Sequence, residues 1–257
     1  MLADLSPHLG ALDLFFVFCA GLLGGIFNGV AGGGTLATFP ALLAVGFSPI
    51  TANITSSIGI VFSFVGGVRN FAGEIREHHQ KLRSLMLVMV IGSISGSILL
   101  LTTPSQSFRD LAPWLVAFAT LLYCCQPFLA GHLHRSSSPA TRTFLLQAGC
   151  FVLSIYGGYF AAGMGIMLLA LFGITMVIDQ HGQTAMRTAV SLFVNAIATI
   201  IFIFWARYSL SAAGLVAMGA LIGGFIGAGA ARRLPRTWFR AAVIALGTIT
   251  SLRLFLG

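Results

Sequence analysis

The stretch that decides the fold is residues 14–68, LFFVFCAGLLGGIFNGVAGGGTLATFPALLAVGFSPITANITSSIGIVFSFVGGV, which contains no Asp, Glu, Lys, Arg or His. These 55 residues are too many for one membrane-spanning helix, which needs about 20. Glycine and proline interrupt the stretch at Gly32–Gly34 and at Gly46–Pro49. It therefore predicts helices at about 12–31, 35–46 and 50–70, with Ser48 capping the third helix and proline in its first turn.

The composition of the whole chain is typical of a polytopic membrane protein. Of its 257 residues, 57% are hydrophobic and 8% are charged, whereas about 25% of the residues of a soluble domain are charged. A water-soluble fold of this length could not bury so much apolar surface, which excludes a soluble enzyme. The net charge of +8 is carried by short loops, as the positive-inside rule requires, and does not indicate a nucleic-acid-binding surface.

A second series of apolar runs follows the first. Helices are predicted at about 83–102 and 111–130 and, after a polar linker, at about 143–162, 164–178, 184–206, 209–231 and 237–256. The linker, residues 132–142, separates a first half, residues 1–131, from a second half, residues 143–257. The short segments 35–46 and 164–178 leave two topologies open, namely ten full crossings or six crossings with two re-entrant hairpins.

The two halves are similar in sequence at an offset of 133 residues. Between residues 24 and 61, 11 of 38 positions are identical to the second half without a gap. The matches pair Gly32 with Gly165 and include the motif Thr-Ala-x-x-Thr at residues 51–55 and 184–188. Two homologous halves of about five helical segments each are therefore predicted.

The basic residues predict opposite orientations for the two halves. If the loop from Arg69 to Arg83 is cytoplasmic, alternate threading puts 11 of the 14 Lys and Arg residues on that side. This loop follows the third segment of the first half, whereas the basic cluster of the second half follows its fourth segment. The sequence therefore predicts an all-α membrane protein of two inverted-topology repeats in the cell inner membrane, with both termini on the extracytoplasmic side. Secondary transporters are commonly built in this way, with short, glycine-interrupted helices near the midplane.

Three stretches carry a resemblance to a known family. They are GGIFNGVAGGGT at 24–35, FPALL at 39–43 with SPITANITSS at 48–57, and GALIGGFIGA at 219–228 followed by RRLP at 232–235. This pattern resembles the sulfite exporter TauE/SafE family of membrane permeases over nearly the whole chain. The resemblance implies a transporter of small sulfur-containing or organic anions, such as sulfite, sulfoacetate or other sulfonates. One departure is GMGIM at 163–167, where the family usually repeats a glycine run. Either the site is lopsided or it takes a different ligand.

The glycine-rich interruptions are candidate substrate contacts. A helix that begins at Thr35 would offer backbone N–H groups and a partial positive charge to an anion, and the run Gly32, Gly33 and Gly34 would allow close approach. The near-copy at Gly163 and Gly165 predicts the same arrangement in the second half. The structural alternative is that these glycines only form tight turns or allow close helix packing, which is common in membrane helices.

Uncharged polar side chains in apolar helices are further candidates for substrate binding. They are Asn28, just before the glycine run, Thr55 and Ser56 near the start of the third helix, and Thr188, Ser191 and Asn195 on one face of its counterpart. An amide at membrane depth needs a hydrogen-bond partner. An interhelical hydrogen bond would satisfy it, and so would an oxygen atom of a bound sulfite or sulfonate.

Arg187 is the charged candidate, because it enters a predicted span within the repeated Thr-Ala-x-x-Thr motif. An anion carrier benefits from one positive group that is exposed in turn to each side. The alternative is an interfacial residue that extends to the lipid headgroups. No Asp or Glu lies deep in any predicted span, so a carboxylate proton relay is not expected. Export needs none, because an inside-negative potential drives an anion outward.

The sequence predicts no catalytic residues, no metal ligands and no cofactor. An intramembrane enzyme or a metal-delivery factor would need clustered carboxylates, His or Cys within the spans, and no such cluster occurs. A membrane scaffold without transport activity, or a permease for a non-sulfur organic anion, are the alternatives. The predicted partners are a small anionic substrate and the lipid bilayer, with homo-oligomer formation left open.

Overall fold

The computed structural model describes residues 9–30, 32–132, 139–230 and 236–256, and every regular element within these ranges is a helix. The central part of the predicted linker and the basic cluster at residues 232–233 lie outside the described residues. The helices are α1 (Ala11–Val30), α2 (Thr35–Ala44), α3 (Pro49–Ile60), α4 (Ser63–Asn70), α5 (Ala72–Glu77), α6 (His79–Thr102), α7 (Ser105–His132), α8 (Pro139–Tyr159), α9 (Met164–Thr175), α10 (Gln180–Trp205), α11 (Leu210–Ala230) and α12 (Arg236–Leu256).

Five helical segments among the described residues could cross a membrane by their length and composition. They are long and apolar enough to span a bilayer: Ala11–Val30, Pro49–Asn70, His79–Thr102, Gln180–Trp205 and Leu210–Ala230. The apolar helices α2 and α9 have 10 and 12 residues and are about 15 and 18 Å long, which is far less than the roughly 30 Å of a hydrocarbon core. Neither can cross a membrane alone. The all-α membrane fold predicted from composition is confirmed.

Both short helices run back along the helix that precedes them. A methyl group at Gly24 of α1 would lie 2.8 Å from the side chain of Thr38 in α2, whereas Phe16, nearer the start of α1, shares a groove with Ala44 at the end of α2. In the second half, a methyl group at Gly149 of α8 would lie 2.6 Å from Leu171, near the end of α9. Each half therefore contains a helical hairpin, as in the re-entrant alternative of the two topologies.

Local signals account for the turns. Ser48 has extended backbone and its side chain accepts a hydrogen bond from the Thr51 N–H, with Pro49 as the first residue of α3, so the predicted cap is confirmed. Gly46 has a φ of 96°, which a side chain would disfavour, and it separates α2 from α3. The predicted helix at 50–70 is interrupted between Ile60 and Ser63, where the Ser63 hydroxyl donates to the Ile60 carbonyl oxygen at 2.6 Å.

Several helix boundaries differ from the prediction, chiefly because helices begin in polar sequence. Helix α10 starts at Gln180 rather than 184, since Asp179 caps it by accepting from the Gly182 N–H at 2.9 Å. Helices α6, α7 and α8 start at His79, Ser105 and Pro139 rather than 83, 111 and 143, and the short α5 was not predicted. Hydrophobic periodicity detects the apolar part of a helix and misses its polar first turns.

Helix packing is reciprocal between the halves. With α1, α2, α3–α4, α6 and α7 paired in order with α8, α9, α10, α11 and α12, each main contact has its counterpart: α1 packs on α11 and α8 on α6, while α2 packs on α12 and α9 on α7. Glycine backbones mediate the closest contacts, since methyl groups at Gly25 and Gly92 would lie 2.5 and 2.7 Å from main-chain oxygens of α11 and α8, respectively. In the sequence, glycines recur every four residues in α6 (Gly92, Gly96) and in α11 (Gly219, Gly223, Gly227), a spacing that predicts helix-packing faces. The close backbone contacts confirm this role.

Candidate functional site

The two helix breaks meet at the centre of the fold. Gly32, between α1 and α2, has a φ of 86°, and Gly165 lies in the first turn of α9. A methyl group on either residue would lie 2.8 Å from the Cα atom of the other. No residue but glycine fits such an approach without a shift of the backbone. The N-termini of α2 and α9 therefore converge on one point, as expected for a site that uses both halves.

A small polar cavity opens beside this contact. It is lined by residues of α1, α2, α3, α4, α9 and α10 and of both breaks: Asn28, Gly32, Thr35, Ile60, Phe64, Ala161, Met164, Gly165, Ser191 and Asn195. Six of them are predicted substrate contacts. The space available to the centre of a water molecule is about 10 Å³, which is room for about one water. This volume is less than an oxyanion needs.

Ser191 is the strongest indication that the cavity binds a ligand. It is 2% exposed, it lines the cavity, and its hydroxyl oxygen has no hydrogen-bond partner. A buried polar group without a partner costs about 1–3 kcal/mol, so such groups in folded proteins call for a function or a bound species. A ligand oxygen atom in the cavity would accept a hydrogen bond from this hydroxyl and remove that cost.

The two predicted amides, Asn28 and Asn195, both line the cavity but are held differently. Asn28 donates through Nδ2 to the Ser63 hydroxyl of α4 at 2.7 Å. Its amide is therefore satisfied by an interhelical hydrogen bond, as in the alternative to substrate binding. Asn195 donates to the Ser191 carbonyl oxygen of its own helix at 2.8 Å. Asn195 lies 15 residues after the start of α10, about 22 Å along a helix of about 39 Å, which is close to mid-length.

Arg187 lies behind the glycine contact and is 1% exposed. Its Nη1 donates to the Asn28 carbonyl oxygen at 3.1 Å, and its Nη2 to the Gly29 carbonyl oxygen at 3.4 Å and the Thr188 hydroxyl at 3.3 Å. The guanidinium thus binds the last carbonyl groups of α1, which have no partner within that helix. The side chain is therefore held between helices instead of extending to the protein surface. A methyl group at Gly32 would lie 2.6 Å from Nη1, so the positive charge adjoins the cavity wall.

The remaining predicted residues lie outside the cavity. Gly33 and Gly34 form the turn into α2, where their carbonyl oxygens accept from Leu36 and Ala37. Gly163 has a φ of 74° and faces Ala119 of α7. The other three are held by hydrogen bonds within the protein: the Thr55 hydroxyl accepts from the Ser209 N–H, Ser56 pairs with Thr38, and Thr188 donates to the Thr184 carbonyl oxygen of its own helix.

Four cavity residues were not predicted from the sequence. Ile60, Phe64 and Met164 are apolar, and no polar signal distinguishes them from other apolar residues of membrane helices. Ala161 is the one described non-glycine residue with a positive φ, 62°. It occupies the position of Asn28 in the 133-residue repeat, so an alignment of the two halves could have identified it.

A larger groove of about 420 Å³ lies between α1, α2 and α12 and contains none of the predicted site residues. Its walls are apolar apart from Thr250 and Arg253, and it is open at one side. In a bilayer such a surface faces lipid chains, whereas transport sites lie where broken helices of both halves meet. The small central cavity is therefore the candidate site. Among the residues that the structure describes, no group of three or more His, Cys, Asp or Glu could hold a metal ion.

A helical membrane protein in which two helical hairpins meet beside a polar cavity has the construction of a membrane transporter. The sequence comparison agrees: the family model of the sulfite exporter TauE/SafE matches residues 17–254, and the chain belongs to that family. The family expected from the glycine-rich motifs is thereby confirmed.

Relatives with a similar sequence are described as transporters. The chain is 25% identical over 237 residues to a probable membrane transporter protein of Haemophilus influenzae, covering 91% of each chain. It is 28% identical over 229 residues to the probable membrane transporter protein YfcA of Escherichia coli K12, covering 86% of this chain and 79% of YfcA. A probable membrane transporter protein of a Sinorhizobium species is 23% identical over 231 residues, covering 87% of this chain and 84% of the relative.

Proposed function

We propose that this protein is a secondary transporter that exports a small sulfur oxyanion or sulfonate across the cell inner membrane by alternating access. The observation that carries the proposal is the buried, unpartnered hydroxyl of Ser191 in a cavity formed by both helix breaks. The cavity provides hydroxyl and amide groups from three helices, and these can bind the oxygen atoms of a tetrahedral or pyramidal anion.

Two positive features favour an anion over a cation or a neutral solute. The N-termini of α2 and α9 bring Thr35, Met164 and Gly165 to the cavity, and a helix N-terminus carries about half a positive charge. Behind them lies the guanidinium of Arg187, which carries a positive charge. Among the described residues that line the cavity there is no carboxylate, which leaves these positive features uncompensated.

Alternating access is supported by the arrangement of the two halves. The corresponding helices α3–α4 and α10 are antiparallel, because Ser57 lies beside Thr199 whereas Gly67, further along α4, lies beside Thr188. Antiparallel counterparts are expected of inverted repeats, which could rock around a fixed central site. A cavity of this size would have to widen towards each side in turn for an anion to pass.

The basic loops favour a topology with both termini outside, and the membrane potential then favours export of an anion. With the basic loops in the cytoplasm, the membrane potential assists the exit of an anion by about 2.3 kcal/mol per charge per 100 mV. A permease for a non-sulfur organic anion would use the same cavity. A scaffold without transport would have no use for a buried hydroxyl without a partner at the meeting point of two breaks.

The test is thermal unfolding of the purified protein in detergent against sulfite, sulfoacetate, isethionate, taurine, thiosulfate, oxalate and chloride. An anion at 100 times its dissociation constant should add about 2.7 kcal/mol of stability. Stabilisation by a sulfur anion supports the proposal. Stabilisation only by carboxylates keeps the transporter and rejects the sulfur substrate.

Ser191→Ala tests whether the anion binds in this cavity, and Ser154→Ala is its matched control. Both hydroxyls are buried and without a partner, but Ser154 is on α8 and does not line the cavity. Both substitutions should raise the unfolding temperature without ligand, because each removes an unsatisfied polar group. Only Ser191→Ala should reduce the anion-induced shift. An equal anion-induced shift in both variants would reject this site.

A flux assay in proteoliposomes tests alternating access and the driving force. Efflux of the stabilising anion should increase with an inside-negative potential and should not require a proton gradient. Flux that ignores the potential and follows only the proton gradient would overturn the proposed mechanism.

A further inference from the structure

Each broken helix is capped by a side chain from the other half. Arg187 of α10 donates to the Asn28 and Gly29 carbonyl oxygens at the end of α1. Asn53 of α3 donates through Nδ2 to the Tyr159 carbonyl oxygen at the end of α8, at 2.9 Å. Both capping residues occupy the variable positions of the repeated motif, Thr-Ala-Asn-Ile-Thr and Thr-Ala-Met-Arg-Thr. The repeat thus performs the same local task twice, across the boundary between the halves.

The two caps differ in strength. A charged guanidinium forms two hydrogen bonds to the end of α1, whereas a neutral amide forms one to the end of α8. Hydrogen bonds that involve a charged group are roughly twice as strong as neutral ones. Asn53 is fully buried and its Oδ1 has no partner, so the closed arrangement at α8 also carries an unsatisfied acceptor.

The break after α8 is strained as well. Ala161 has a φ of 62°, a left-handed conformation that disfavours any residue with a Cβ atom. The residue also lines the cavity. At the other break the left-handed residue that the structure describes is Gly32, which adopts this conformation freely. Non-glycine residues held in this region are often found at segments that move in function.

We propose that the break between α8 and α9 is the moving gate of the cavity and that Asn53 is its latch, whereas Arg187 keeps the break between α1 and α2 fixed. This inference rests on the proposed transport function. When the bond from Asn53 to Tyr159 opens, Ala161 can return to an unstrained backbone, the end of α8 moves, and the cavity widens towards one side. Asn53 is a positioning residue, since it does not line the cavity and acts through α8.

Hydrogen exchange of the full-length protein in detergent, followed by mass spectrometry without any added anion, tests the gate directly. Exchange at residues 160–164 and at residues 32–36 is compared between the wild type and each variant, after correction for intrinsic rates. Asn53→Ala should accelerate exchange at 160–164 at least about fivefold, as expected for the loss of one net hydrogen bond, and leave 32–36 unchanged. Equal acceleration at both breaks, or none at 160–164, would overturn the proposal.

Ala161→Gly provides a second test with the opposite sign, which decides the matter if Asn53→Ala does not fold. Glycine removes the strain of the closed state, so exchange at 160–164 should slow about fivefold and the unfolding temperature should rise. In proteoliposomes the maximal rate should fall while the anion affinity is retained. A purely structural role of this break does not predict a protein that is more stable but slower. Unchanged or faster exchange in Ala161→Gly would overturn the proposal that the break between α8 and α9 is the gate.

The exchange experiment is independent of the substrate assignment. If both variants shift exchange as expected but no anion alters exchange or thermal stability, the gate stands and the proposed substrate is wrong. If an anion stabilises the protein but the two breaks respond alike, the substrate stands and the gate is wrong.

Discussion

Gly32 and Gly165 touch through their backbones, so that a methyl group on either would lie 2.8 Å from the Cα atom of the other. This contact joins the first turn of α9 to the break between α1 and α2, and the candidate cavity lies beside it. The position of the site therefore depends on two residues that are 133 positions apart and identical in the repeat.

Substitution of either glycine should damage the assembly, and Gly32 should be the more sensitive. Gly165→Ala introduces a steric clash that costs about 1–3 kcal/mol of unfolding free energy. Gly32→Ala adds the cost of a side chain at a φ of 86°, about 1–2 kcal/mol more. Thermal unfolding in detergent measures both. Gly173→Ala is the control in α9, since a methyl group there meets nothing within 4 Å, and it should be neutral or slightly stabilising.

Thr55 and Ser191 should separate stability from binding. The Thr55 hydroxyl accepts a hydrogen bond from the Ser209 N–H before α11, at 3.3 Å, and does not line the cavity. Thr55→Val should therefore lower the free energy of unfolding by about 1 kcal/mol and leave the anion-induced stabilisation unchanged. Ser191→Ala should instead raise the free energy of unfolding without ligand and reduce the anion-induced stabilisation. Loss of the anion response in Thr55→Val would mean that the Thr55 hydroxyl contributes to the site directly.

Sequence reasoning succeeded where the cause is local. The glycine run, the cap at Ser48 and the glycines spaced by four follow from backbone freedom, hydrogen bonding and helix packing within short segments. It identified the hydroxyl of Ser191 and the two amides of the cavity because polar groups are conspicuous in apolar helices. Whether those residues bind a substrate stays a prediction.

Features that depend on how the halves cross could not be predicted. The rotation of α3 that turns Thr55 toward the start of α11 is set by tertiary packing, not by the helix period. The hydrogen-bond partners of Arg187 could not be predicted either, because they depend on where α1 ends relative to α10. The strain at Ala161 and the capping role of Asn53 were missed because neither residue type indicates them until the backbone is known.

The contact between α1 and α11 should tolerate no added methyl group. A methyl group at Gly25 would lie 2.5 Å from the Ala220 carbonyl oxygen, and one at Gly223 would lie 2.9 Å from the backbone nitrogen of Ile26. Gly25→Ala and Gly223→Ala should each cost about 1–3 kcal/mol, because both helices would have to separate. Gly214→Ala, on α11 but with nothing within 4 Å, is the matched control for thermal unfolding. Equal stability of all three variants would contradict the close helix contact.

Arg187 combines two roles that a pair of substitutions should separate. Arg187→Lys keeps the positive charge but cannot bridge the Asn28 and Gly29 carbonyl oxygens, so the protein should lose about 1.5–3 kcal/mol of stability and retain anion-induced stabilisation. Arg187→Met keeps most of the side-chain volume without the charge, so it should lose both. Thermal unfolding with and without the anion measures the two effects on one sample. If Arg187→Met retains the full anion response, the guanidinium caps α1 but contributes nothing to the field in the cavity.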